Sequence, residues 1–165
     1  ISKDELFCNL VDADGYYFTH FLQDKAKTAY GGAELKYGYK DWFDASLKGT
    51  FYSWKTDNEN EELYLMTKPK FELNFYAEAK VFEGLKVYLG YEYVQRKEYV
   101  IEEGNSSRDF GLGNISNLSV GASYTFLKDL SVFGRVNNLL NKQYYYEYGY
   151  PAEKLNVLAG LSLVF

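Results

Sequence analysis

The chain has 165 residues, 47% hydrophobic and 19% aromatic, with 18 Tyr, 2 Pro and a formal net charge of −5. The acidic balance argues against a nucleic-acid partner, and the lone Cys8 permits neither an internal disulfide nor a cysteine metal cluster. No apolar run approaches the length of a transmembrane helix, but spanning strands hide in a negative mean hydropathy of −0.38 because their alternation averages out.

In chain order, residues 1–40 admit two readings. One places strands at 5–11, 16–22 and 28–40; the other has 5–11, a turn at Asp14-Gly15 and one long strand over 16–40. Ala33, Leu35, Tyr37 and Tyr39 alternate there with Gly32, Glu34, Lys36 and Gly38. Further on, Phe71, Leu73, Phe75, Ala77, Ala79 and Val81 alternate with Glu72, Asn74, Tyr76, Glu78 and Lys80. Leu85, Val87, Leu89, Tyr91 and Tyr93 do so with Lys86, Tyr88, Gly90 and Glu92; Leu118, Val120, Ala122, Tyr124 and Phe126 do so with Asn117, Ser119, Gly121, Ser123 and Thr125. Period two means strands with one apolar face. The other face carries charges that a dry sandwich core would bury without partners.

Short connections at 39–41, 82–84 and 126–129 alternate with long polar ones at 56–67, 101–114 and 141–154. Aromatic residues gather near the short ones: Tyr37, Tyr39, Trp42, Phe43, Phe82 and Phe126. Outer-membrane barrels have this asymmetry, with short periplasmic turns, longer external loops and interfacial aromatic girdles. In the last strand, Val157, Ala159, Leu161, Leu163 and the terminal Phe165 share one face. The pattern therefore predicts an all-β fold, an antiparallel transmembrane β-barrel with about eight or nine strands present, in the bacterial outer membrane and against its lipid. A soluble barrel with its apolar stripes turned inward remains open on periodicity alone.

Little supports catalysis. His20 is the single histidine, and no paired acid–histidine or serine–histidine set accompanies it. The acidic stretch 57–62 lacks the spacing of a Ca²⁺ loop, and Glu102, Glu103, Arg108 and Asp109 read as solvated loop residues. Neither a catalytic residue, a metal site nor a cofactor is expected. The best candidates for ligand contact are Tyr144, Tyr145, Tyr146, Tyr148 and Tyr150, because tyrosine joins broad apolar area to a hydrogen-bonding tip.

The run SVFGRVNNLLNKQY over 131–144 resembles the penultimate strand of TonB-dependent outer-membrane receptors, where V-x-N-L-x-[ND]-K-x-Y is common. The run YGYPA followed by NVLAGLS and a terminal Phe is similar to their final loop and strand, although Ala152, Glu153 and Lys154 replace the usual Pro-Gly-Arg. The segment 24–34, DKAKTAYGGAE, is similar to a strand about eight from their end, with Asp24 at a position where the family favours Asn-x-Gly. The resemblance implies the C-terminal portion of a twenty-two-stranded plugged barrel, with 1–165 all barrel and no plug domain. It further implies import of a scarce nutrient of unknown identity. TonB would be met only through an N-terminal part outside this segment, and the last strand would be read by the barrel-assembly machinery. The alternative is a self-contained eight-stranded outer-membrane barrel with a structural or adhesive role.

Overall fold

The structure is a computed structural model and describes residues 2–10, 18–56, 65–103, 106–110, 112–147 and 150–164. Its strands are β1 (Ser2–Leu10), β2 (Phe18–Tyr39), β3 (Phe43–Thr56), β4 (Pro69–Phe82), β5 (Leu85–Arg96), β6 (Tyr99–Glu103), β7 (Ser106–Phe110), β8 (Ile115–Leu127), β9 (Leu130–Asn137), β10 (Tyr145–Glu147), β11 (Tyr150–Pro151) and β12 (Asn156–Leu163). Eight of them form one antiparallel sheet in the order β1-β2-β3-β4-β5-β8-β9-β12, and β1 and β12 stand at its two edges, so the sheet is not closed. The second reading of residues 1–40, with one long strand, is the one observed. The Asp14-Gly15 turn lies outside the described residues, and the family-like segment 24–34 sits in β2, seventh from the end.

Register aligns the alternating strands into two faces. Leu35 stands opposite Leu47, Leu47 opposite Phe75, Phe75 opposite Tyr91, and Tyr91 opposite Leu118. A parallel row runs Ala45, Ala77, Leu89, Val120, Val136, Val157. The row beside the first, on the side away from the second, is Lys48, Asn74, Glu92, Asn117 and is polar throughout. A slip of one residue in any strand would break both rows, so the hydrophobic pattern fixes the register.

The edge strand β1 has a particular place. It pairs with β2 from Leu10–Phe18 to Ser2–Ala26, while β3 begins its pairing with β2 at Ala26 and continues to Tyr39. The β1–β2 hairpin therefore projects past the end of β3. At the level of the short turns the sheet has seven strands, and the half of β2 from Lys27 to Tyr39 has no described neighbour on its outer side.

The connections at 40–42, 83–84 and 128–129 all fall on one end of the sheet. Gly84 has φ +83° and its missing Cβ would meet the Thr125 carbonyl, so a side chain there is excluded on two counts. Two register shifts lie beside these turns, at Lys80/Phe82 and Thr125/Leu127. The first is a bulge that pairs Phe82 with Leu85 and takes Val81 out of the expected alternation. Phe82 thereby meets Tyr124 edge-on at 6.0 Å, and Tyr124 meets Phe126 at 6.4 Å. On the neighbouring turn Trp42 packs against Tyr39 at 5.9 Å and against Phe43 at 5.7 Å. A second aromatic level, Phe51, Phe71 and Tyr93, lies on the same face, with Phe51 and Phe71 4.5 Å apart. From Phe43 to Phe51 is roughly 26 Å along the strand at about 3.3 Å per residue, the scale of an apolar band between two interfacial girdles.

At the opposite end two connections expected to be plain polar loops carry structure of their own. Strands β6 and β7 pair as a hairpin that places Ile101 opposite Arg108 and Glu102 opposite Ser107. Strands β10 and β11 form a second small sheet.

Candidate ligand-facing site

The polar face is built from the even-numbered positions of β2 to β5 and the odd-numbered positions of β8 and β9. Glu34, Ser46, Lys48, Asn74, Tyr76, Glu92, Asn117, Ser119 and Arg135 line a hollow of about 330 Å³. A second hollow of about 380 Å³ shares Glu34 and Lys48 with it and is walled by Tyr30, Thr50 and Tyr52. Charges here are interleaved: Lys86 Nζ lies 3.2 Å from Glu78, and Lys36 Nζ lies 3.3 Å from Glu34. Both pairs are well exposed to water, so each adds little stability; together they make a wettable wall.

The aromatic ladder Tyr30, Tyr52, Trp54 crosses the β2–β3 part of this face, with successive ring centres 6.1 Å apart. Tyr52 Oη donates to Glu72 at 2.7 Å and Trp54 Nε1 donates to the Pro69 carbonyl at 2.7 Å. Neither Tyr52 nor Trp54 was singled out from sequence. The signal was available in their alternation with Phe51 and Ser53, which puts both rings on the polar face.

The tyrosine run does not act as one surface. Tyr144 is 6% exposed and packs with Val94 and Ile115, apolar residues that share the polar face, with Ala152 beside them. Tyr146 is 49% exposed, meets Tyr144 edge-on at 5.5 Å and donates its hydroxyl to Glu92 Oε2 at 3.0 Å. The Tyr145 hydroxyl accepts from Gln143 at 2.8 Å, and its carbonyl accepts from Arg96 Nη1 at 2.6 Å. Tyr150 is exposed on β11, and Tyr148 lies outside the described residues. The structure thus brings Tyr144 and Tyr146 together with Glu92 and Arg96, and gives Tyr144 an anchoring place in the packing. Burial pushes the pKa of both phenols above the ordinary tyrosine value, and the Glu92 carboxylate adds to the rise at Tyr146.

What holds this connection over the polar face is Asn138, only 1% exposed. Its Nδ2 donates to the carbonyls of Lys142 at 2.7 Å and Glu153 at 3.1 Å, and its Oδ1 accepts from the Lys142 amide at 3.2 Å. Its own amide donates to Asn117 Oδ1 at 3.1 Å. Asn138 and Asn141 both have positive φ, and Asn141 N–H closes a turn onto the Asn138 carbonyl at 2.8 Å. These are the asparagines of the family-like N-L-x-[ND]-K run, and asparagine suits them because it tolerates the left-handed region and bonds backbone at short range. Of the final-strand residues, Val157, Ala159, Leu161 and Leu163 extend the apolar face from Val136, Gly134, Val132 and Leu130 of β9. Phe165 lies outside the described residues, as does the acidic stretch 57–62. His20 stands opposite Cys8 in the β1–β2 ladder.

No family model matches the chain, and neither does any curated protein. Solved structures do. The ferripyoverdine receptor of the outer membrane of Pseudomonas aeruginosa, bound to ferripyoverdine, superposes with a TM-score of 0.65 at 17% identity over 90% of this chain and 20% of that one. The same receptor bound to a heterologous pyoverdine gives a TM-score of 0.68 at 16% identity over 98% and 23%. A mutant of the ferric enterobactin receptor of P. aeruginosa gives 0.64 at 16% over 99% and 27%. The chain has the fold of a barrel segment of TonB-dependent outer-membrane receptors, as the sequence resemblance implied, and spans about a fifth to a quarter of the length of those it matches.

Proposed function

We propose that this chain is a portion of the barrel wall of an outer-membrane receptor that binds a scarce nutrient and imports it with energy relayed by TonB. Its apolar face meets outer-membrane lipid, its polar face lines the ligand path, and the long connections lie outside the cell. The segment contributes wall, loops and, in β12, an apolar strand suited to recognition by the barrel-assembly machinery. The structural neighbours are receptors rather than enzymes, and no catalytic role is assigned to any residue.

The observation that carries this reading is the unbroken register of apolar rows across seven strands. It is reinforced by where the connections fold. Tyr144 turns back onto Val94 and Ile115, on the polar face, so the polar side is the one the loops enclose. A soluble barrel with its apolar stripes inward would have its loops close over the other face. The alternative of a self-contained eight-stranded barrel would need β1 beside β12, whereas β1 pairs with the projecting half of β2.

The test is impermeant thiol labelling of intact cells producing the full-length protein with Cys8 replaced. A cysteine at Gln143, in the long connection, should label; one at Lys128, in a short turn, should label only after the outer membrane is breached. The reverse pattern overturns the orientation, and equal labelling of both in intact cells overturns the membrane-spanning reading.

A further inference from the structure

Strand β10 sets two neighbouring groups against two side chains of β5. The Tyr145 carbonyl accepts from Arg96 Nη1 at 2.6 Å, and the Tyr146 hydroxyl donates to Glu92 Oε2 at 3.0 Å. Glu92 and Arg96 lie on the same polar face with Val94 between them, and Glu92 also lines the 330 Å³ hollow. The fit on Arg96 is incomplete. The residue is 8% exposed, yet its Nε has no hydrogen-bond partner among the described residues. A buried guanidinium donor left unpaired is costly, so a molecule offering Arg96 a second acceptor holds it better than one backbone carbonyl does. Among the described residues Glu92 accepts its hydrogen bond from one phenol on a half-exposed ring. Tyr144, by contrast, is fixed by packing, and Asn138 fixes the root of the connection. Tyr145 and Tyr146 can therefore leave β5 without the connection unfolding.

We propose that Glu92 and Arg96 form a ligand subsite, occupied in the empty protein by Tyr145 and Tyr146 as an internal stand-in. The ligand it takes is a net-neutral, amide-bearing molecule that presents a hydroxyl donor to Glu92 and a carbonyl acceptor to Arg96. Ligand and β10 compete for the same two side chains, so binding displaces β10 from β5 and leaves Tyr144 in place. The inference rests on the reading of the polar face as the ligand path.

Competition has a signature that a structural role lacks: two near-isosteric changes on opposite sides of one hydrogen bond act in opposite directions. The probe is N-acetyltyrosinamide, which carries the carbonyl and phenol of the stand-in, titrated into the full-length protein in detergent by equilibrium dialysis. Tyr146→Phe removes the competitor for Glu92 and leaves both subsite side chains intact, so binding should tighten roughly tenfold, as expected for a hydrogen bond to a charged group. Glu92→Gln removes the carboxylate, so binding should weaken by a similar factor. Shifts in the same direction, no shift in Tyr146→Phe, or no saturable binding to that variant overturn the proposal. Outer-membrane fractionation of the same strains reads the underlying function separately. Opposite shifts in a protein absent from the outer membrane keep the subsite and reject the receptor; a protein in the outer membrane without the shifts does the converse.

Discussion

At the scale of single residues, the connection from β9 to β12 is tied down through Asn138. That residue joins Lys142, Glu153 and Asn117, and the next amide, Leu139 N–H, donates to the Leu118 carbonyl at 2.8 Å. Asn138→Ala would leave two carbonyls and an amide without these partners in a buried site and put alanine in the left-handed region. The expected cost is roughly 2–4 kcal/mol, measured as unfolding free energy of the full-length protein in lipid vesicles, with earlier proteolysis in 139–155. A cost below about 0.5 kcal/mol would show that water replaces the side chain. Tyr146 carries a pH prediction. Its folded ionisation lies above the ordinary value of 10.0, so the neutral phenol is favoured by folding. The stabilisation it brings is complete below pH 10 and is lost as pH rises through the raised folded value. Alkaline difference spectra of wild type against Tyr146→Phe should show this phenol ionising later than free tyrosine; ionisation at or below pH 10 counts against its burial beside Glu92. The family-like run in the sequence contains these asparagines but does not say why they are there. It could not separate Tyr144 from Tyr146 either, because burial of one ring and half-exposure of the other depend on Val94 and Ile115, some fifty and thirty positions away.

At the scale of elements, the strands are legible in the sequence because each wall strand keeps period two, with one face apolar and the other polar. The pattern failed locally where tertiary contacts overrode the period. Val81 leaves the apolar series through a bulge next to a two-residue turn, and the β6–β7 and β10–β11 hairpins were concealed by charged and aromatic residues that mimic loop composition. The two faces make a direct prediction. Val120 lies on β8 midway between Tyr124 of the turn-side aromatic level and Ser116, which stands opposite Tyr93 of the second level, so Val120→Arg should cost roughly 2–4 kcal/mol near the bilayer midplane. A polar-face control must be chosen with care. Ser119 is the obvious neighbour, but it is 8% exposed and donates to the Gly90 carbonyl at 3.4 Å, so arginine would not fit there. Asn74 is exposed on the same face, opposite Lys48 and Glu92. Asn74→Arg should stay within about 0.5 kcal/mol of wild type. Equal damage at 120 and 74, in folding titrations into lipid vesicles, would reverse or abolish the assignment of faces.

At the scale of the whole molecule, the decisive feature is the pair of open edges. The strand β12 bonds only to β9, and the half of β2 from Lys27 to Tyr39 bonds only to β3 among the described residues. Both edges run through the level of the apolar face, where unpaired peptide groups would meet hydrocarbon at several kcal/mol each. Composition and periodicity could not reveal this, because each strand looks the same whether or not its far edge is paired; only register shows that β1 pairs beyond the end of β3. The segment produced alone should therefore refold in detergent only as multimers joined through those edges, or aggregate, while the full-length protein runs as a monomer. A cysteine at Leu10 should cross-link to one at Phe18, its partner across the β1–β2 hairpin, and not to one at Leu161. A monodisperse monomer of the isolated segment carrying the Leu10–Leu161 cross-link would falsify the open-wall architecture, because those two residues can meet only if β1 descends to the level of β12 and closes the sheet.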